Sequence, residues 1–138
     1  MLVLVVGGAS QGKSDFAKSF DMPVIDQLHL KIRKMMEELI SIEALKKHSD
    51  ENNDKTKSHC DDFTDSFSFK ESITEKILNN LKEQPAVIVS NEIGCGIIPA
   101  EKIERNYREL TGRILCEIAK MADEVYKVEA GIAMKIKG

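Results

Sequence analysis

The sequence has no tryptophan, 5% aromatic residues and only three prolines. Its core must therefore be packed from isoleucine, leucine, valine and methionine, with few rigid breaks between elements. No run of eighteen apolar residues occurs, so no membrane-spanning helix is expected. The three cysteines, Cys60, Cys95 and Cys116, are odd in number and lack C-x-x-C spacing. That argues against a disulfide framework and a zinc ribbon, and for free thiols in a reducing compartment. The N-terminus enters an apolar run without the basic segment and cleavage site of a secretory leader, so the expected location is the cytoplasm. Basic residues are not in excess. The net charge of −3 argues against nucleic acid as the main partner. A length of 138 residues with 42% hydrophobic residues suffices for one domain, expected to span 1–138.

Gly7-Gly8-Ala9-Ser10-Gln11-Gly12-Lys13-Ser14 follows Met1-Leu2-Val3-Leu4-Val5-Val6 directly. It fits G-x-x-x-x-G-K-[ST] after a buried strand, the context of a phosphate-binding P-loop. Average residue usage would give this pattern in roughly one chain in two hundred of this length. Glycines let the backbone curl so that successive N–H groups face a phosphate. The following helix points its positive end at the same place. Lys13 then supplies a cation for the β- and γ-phosphates, and Ser14 a hydroxyl for Mg²⁺.

Strand and helix patterns alternate along the chain. Leu2 to Val6 reads as a strand and Lys13 to about Phe20 as a short helix. Pro23 marks a turn before a short strand, Val24-Ile25, that ends at Asp26. Apolar residues at three- and four-residue steps predict a helix over Gln27–Lys47. His48 to Asp65 is polar and charged and is expected to be a mobile loop. A second such helix spans about Phe69–Lys82, and Ala86–Ser90 is a β-branched strand. Asn91–Pro99 is a loop with two glycines. A long helix from Pro99 to about Ala122 and two short alternating strands around Gly131 close the chain. The alternation predicts a three-layer α/β fold of the P-loop NTPase type, with a mainly parallel sheet and a C-terminal antiparallel edge. In such sheets ligands sit beyond the carboxyl ends of the strands. The P-loop, Asp26 and Asn91-Glu92 should gather there.

Each of the remaining candidates has two readings. Asp26 can hold Mg²⁺ through water, or cap the helix that starts at Gln27. Glu92 can orient a hydroxyl, accept its proton or hold metal water, or simply bond its own turn. Arg105, Arg108 and Arg113 share a helix. They suit phosphate oxygens, but the usual reading of such residues is a solvated face with Glu101, Glu104 and Glu109 as partners. His29, His48 and His59 are scattered and read first as surface or loop residues. A histidine at 29, three residues beyond Asp26, can also act as a phosphoramidate nucleophile.

Val89-Ser90-Asn91-Glu92-Ile93-Gly94-Cys95-Gly96-Ile97-Ile98-Pro99, Tyr107-Arg108-Glu109-Leu110-x-Gly112-Arg113, Ala122-Asp123-Glu124-Val125-Tyr126 and Gly131 together resemble one family closely. It is the bifunctional adenosylcobinamide kinase/adenosylcobinamide-phosphate guanylyltransferase family of cobalamin biosynthesis. The P-loop matches as well, and Val24-Ile25-Asp26-Gln27-Leu28 is similar to that family's Asp-Cys-Leu strand end. The resemblance implies two reactions at one nucleotide site. ATP or GTP phosphorylates the aminopropanol hydroxyl of adenosylcobinamide, and GTP then transfers GMP to that phosphate through a guanylylated histidine. It also implies Mg²⁺, catalytic roles for Lys13 and Glu92, and Ser14 and Asp26 as metal ligands. Asn91, Arg108 and Arg113 become pocket or subunit contacts in a homo-oligomer, typically a trimer. One departure is plain. Family members carry a further strand and a histidine-bearing helix after the P-loop helix, whereas here Phe20 leads straight into Asp21-Met22-Pro23. No histidine of this chain occupies that place, so the resemblance carries over phosphoryl transfer and leaves guanylyl transfer without its nucleophile.

Overall fold

A computed structural model describes residues 1–8, 11–48, 67–82, 84–92 and 101–138. The elements, in chain order, are β1 (Leu2–Gly7), α1 (Lys13–Lys18), β2 (Val24–Ile25) and α2 (Leu28–His48), followed by α3 (Phe67–Leu81) and β3 (Ala86–Asn91). They end with α4 (Lys102–Met121), β4 (Glu124–Glu129) and β5 (Ile132–Lys137). The five strands form one sheet in the order β2-β3-β1-β4-β5. β1 pairs in parallel with β3 and β4, and β2 in parallel with β3. Only β5 runs antiparallel, against β4. This is the mainly parallel sheet with an antiparallel edge expected of a P-loop NTPase-like fold.

The apolar run in β1 follows from its central place. A strand covered on both faces has no polar side to show, and all six residues of β1 are buried. One sheet face carries Leu2, Leu4, Val6 and Ile88 against α2, α3 and α4. Those helices contribute stripes at helical spacing: Leu28, Ile32 and Met36; Phe69, Ile73, Ile77 and Leu81; and Leu110, Ile114 and Ile118. Each fully buried Leu or Ile contributes about 1.5–3 kcal/mol relative to exposure. The other face carries Val3, Val5, Val87, Val89 and Val128, against which Ala17, Phe16, Phe20 and Met22 pack. Phe16, Phe20 and Tyr126 meet edge to face or tilted, with centroids 5.0–5.5 Å apart.

The elements depart from the sequence expectations in small ways. α1 stops at Lys18, two residues early, where the Ser19 N–H bonds back to Phe16. α2 starts at Leu28 because Gln27 has a positive φ of 53° and serves as its cap. His48 closes α2 instead of opening the polar loop. The rest of that loop, and the glycine-rich turn from 93 to 100, lie outside the described residues. No helix among the described residues is long and apolar enough to cross a membrane.

Candidate functional site

The carboxyl ends of β1, β2 and β3 open together on one edge of the sheet. The chain leaves β1 at Gly7, where a side chain is excluded. A Cβ there would collide with the carbonyl oxygen of Val128 on the adjacent β4. Gly7 also accepts a hydrogen bond from the Glu92 N–H at 2.9 Å, tying the ends of β1 and β3. The loop returns through Gly12, the cap of α1, at φ 88°, a conformation that favours glycine. Gln11 anchors the loop to the hairpin turn between β4 and β5. Its side-chain oxygen accepts from the Ala130 N–H at 2.6 Å, and its carbonyl from the Gly131 N–H at 2.9 Å. Ala130 and Gly131 have φ of 50° and 76°, as a two-residue hairpin turn of the primed type requires.

The cleft so formed has a volume of about 330 Å³ and is lined by Gln11, Gly12, Lys13, Ser14, Asp26 and Asn91, among others. That lies at the lower end of ordinary small-ligand sites. Lys13 is 7% exposed, and its ammonium donates to the Gly8 carbonyl of its own loop. Burial lowers the Lys13 pKa, against the opposing pull of Asp26 and then Glu92. Ser14 Oγ donates to Asp26 Oδ2 at 3.0 Å, and Asp26 Oδ1 accepts from the Gln27 N–H at 2.8 Å. The two oxygens of the Asp26 carboxylate thus have different partners. One faces the P-loop serine and the other steadies the turn into α2.

The donor set fits a small hard cation. A hydroxyl and a carboxylate oxygen already sit within hydrogen-bond reach of each other beside the P-loop. Among the described residues, no group of three or more His, Cys, Asp or Glu side chains makes an all-protein metal cage. Mg²⁺ typically takes one or two protein oxygens and completes its shell with substrate phosphates and water.

The structure brings Gln11, Gly12, Lys13, Ser14, Asp26 and Asn91 together around the cleft. Gly7 and Gly8 are not among the residues lining it; Gly8 is tied to it through its carbonyl, which takes the Lys13 ammonium. Glu92 is half-buried beside it, close enough for its charge to act on Lys13. Ala9 and Ser10 lie outside the described residues. Arg108 and Arg113 are not among the residues lining the cleft. Arg113 is paired with Glu109 at 3.2 Å, and Glu109 also takes the Lys70 ammonium at 3.1 Å. Arg113 thus lies on a helical face with Glu109 and outside the lining of this cleft.

His29 corrects another expectation. It is no surface residue but 8% exposed and part of the cleft wall. Its Nδ1 accepts from the Asn91 N–H at 3.2 Å, and the Tyr107 hydroxyl donates to its carbonyl at 2.7 Å. Burial lowers its pKa, Lys13 lowers it further, and Asp26 pulls the other way. Arg33, one turn on, lies 5.0 Å from the Tyr107 ring centroid and forks onto Glu104. The i, i+4 spacing of His29 and Arg33 is the one sequence signal that sets them on a common face of α2.

Against known proteins, residues 21–136 match the profile of the family described as cobinamide kinase / cobinamide phosphate guanyltransferase. The P-loop precedes that match, so its reading rests on motif and geometry. The chain is similar to the bifunctional adenosylcobalamin biosynthesis protein CobU of Salmonella typhimurium. They share 45% identity over 51 residues, which is 37% of this chain and 28% of the relative. The CobU protein of Escherichia coli is 43% identical over 51 residues, with the same coverage. The bifunctional protein CobP of Pseudomonas aeruginosa is 35% identical over 66 residues, 46% of this chain and 38% of that protein. The aligned stretches thus span well under half the length of each of these relatives.

Proposed function

The chain belongs to the cobinamide kinase / cobinamide phosphate guanyltransferase family, and from that premise we propose that it is a kinase of cobalamin biosynthesis. It transfers the γ-phosphoryl group of Mg²⁺-bound GTP or ATP to the hydroxyl of adenosylcobinamide. The observation that carries this reading is the cleft itself, where P-loop Lys13 and Ser14 face Asp26. Phosphoryl transfer asks for little more than positioning and charge neutralisation.

The residues divide the work as follows. Backbone N–H groups of the loop from Gly7 to Ser14 hold the phosphates. Lys13 exchanges its Gly8 carbonyl for β- and γ-phosphate oxygens and stabilises the charge that develops on them. Ser14 and Asp26 would hold Mg²⁺, which supplies further neutralisation of the phosphate charge. Glu92, whose charge acts on Lys13, is assigned to orient the attacking hydroxyl and accept its proton. The hydroxyl oxygen bonds to the γ-phosphorus as the bond to the β–γ bridging oxygen breaks, and the nucleoside diphosphate leaves. Asn91 shapes the cleft wall. Arg108 and Arg113 belong to a subunit contact of a homo-oligomer, a trimer by family resemblance. The expected setting is the cytoplasm.

Guanylyl transfer is not part of this proposal, because the family's histidine-bearing segment has no counterpart after Phe20. The same gap favours a second reading, a nucleotide-binding paralogue without catalysis. Labelled-phosphate transfer decides between them. Appearance of label from γ-labelled ATP or GTP in adenosylcobinamide supports the kinase. Folded protein that binds Mg²⁺–nucleotide by calorimetry, yet neither binds nor labels cobinamide, supports the paralogue.

A further inference from the structure

The first turn of α2 carries a buried titratable ring to which the kinase reading gives no task. His29 lines the cleft with Lys13, Ser14 and Asp26. It is gripped from two directions. β3 holds the ring through the Asn91 N–H, and α4 holds the main chain through the buried Tyr107 hydroxyl. Tyr107 is itself braced by Arg33 and its partner Glu104. A backbone N–H can only donate, so Nδ1 must present a lone pair. The ring is therefore neutral, with its one proton on Nε2.

This tautomer decides what the ring can do. Covalent catalysis through Nε2 needs the lone pair of that nitrogen. Freeing it would move the proton to Nδ1 and set two donors face to face at the Asn91 contact, leaving a buried hydrogen bond unmade. What the held ring offers instead is a fixed, uncharged N–H donor beside a P-loop lysine. An uncharged donor adds a hydrogen bond to a phosphoryl oxygen without adding a second buried cation next to Lys13.

We propose that His29 donates a hydrogen bond from Nε2 to a phosphoryl oxygen of the bound nucleotide, as a preorganised neutral donor and not as a covalent nucleophile. No bond to His29 forms or breaks during transfer. The proposal rests on the phosphate-cleft part of the functional reading and is independent of the acceptor.

Nitrogen-15 NMR of the full chain, labelled at histidine, tests it directly. At neutral pH the His29 Nδ1 should resonate as an unprotonated nitrogen and Nε2 as a protonated one. Adding Mg²⁺ with the β,γ-imido analogue of GTP should shift Nε2 and its proton and leave Nδ1 nearly unchanged. The opposite tautomer, an imidazolium, no binding of the analogue, or an analogue bound without any response at Nε2 would each overturn the proposal. Kinetics supply a second arm. His29→Ala should slow phosphoryl transfer about a hundredfold, and His29→Gln, which returns an amide N–H near the Nε2 position, should recover at least about tenfold of that. Equal losses in the two folded variants contradict a donor role. So does an acid-labile adduct from α-labelled GTP that disappears in His29→Ala. A clear Nε2 response in a protein that never labels cobinamide would uphold the donor and refute the acceptor assignment.

Discussion

Replacing Lys13 with methionine separates what the lysine does for the nucleotide from what it costs the protein. The side chain is 7% exposed, and its described bond is to the Gly8 carbonyl. In the nucleotide-free protein the substitution removes that hydrogen bond, worth about 1 kcal/mol. It also removes a charge that burial already disfavours. These effects oppose each other, so stability should change by less than about 1 kcal/mol. Binding should change far more. Truncating one side of a buried charge-assisted contact costs about 2–4 kcal/mol, which is about thirty- to a thousandfold in affinity. Calorimetry with Mg²⁺–GTP and Mg²⁺–ATP, beside thermal unfolding of the free proteins, measures both. The pH dependence carries a further sign. A lysine whose folded pKa lies below its usual 10.5 binds its proton less tightly in the folded state. The resulting penalty is complete below the folded pKa, fades as pH rises toward 10.5, and is gone above it. The wild type should therefore gain stability relative to the variant across that alkaline window. An affinity loss under about tenfold, or a wild type that loses ground as pH rises, refutes the reasoning.

Gly7→Ala should destabilise the fold by about 1–3 kcal/mol, because the new Cβ meets the Val128 carbonyl; a lowered thermal midpoint checks it. Asp26→Asn should leave stability within about 0.5 kcal/mol, since its bonds to Ser14 and Gln27 are exposed. The same change should raise the Mg²⁺ concentration needed for nucleotide binding about tenfold, read by titrating Mg²⁺ at fixed nucleotide. Tyr107→Phe should cost about 1 kcal/mol through its buried bond to the His29 carbonyl. Denaturant unfolding at unchanged slope would show it.

The P-loop was legible because its chemistry is written in eight consecutive residues after an apolar run. Asp26 was legible because β2 is short and ends there. The face of α2 toward β3 and α4 was not. His29 owes its burial to Asn91 and Tyr107, 62 and 78 positions away, and nothing local marks it. The grip of Gln11 on the β4–β5 turn spans 119 positions and was equally hidden. Arg113 is a different case: a motif match names a residue without saying which way a helix turns it, and here Arg113 pairs with Glu109, one turn away. Local patterns thus gave the elements and the loop, while long-range pairings decided which side chains furnish the cleft.

The central claim is that this cleft transfers a γ-phosphoryl group to cobinamide without passing through a nucleotidylated enzyme. One experiment addresses it: parallel incubation of adenosylcobinamide and Mg²⁺ with GTP labelled at the γ- or the α-phosphate, followed by separation of the corrinoid product. The account predicts γ-label in the corrinoid and no α-label in either product or protein. Absence of γ-label, or α-label on the protein or the corrinoid, would contradict it.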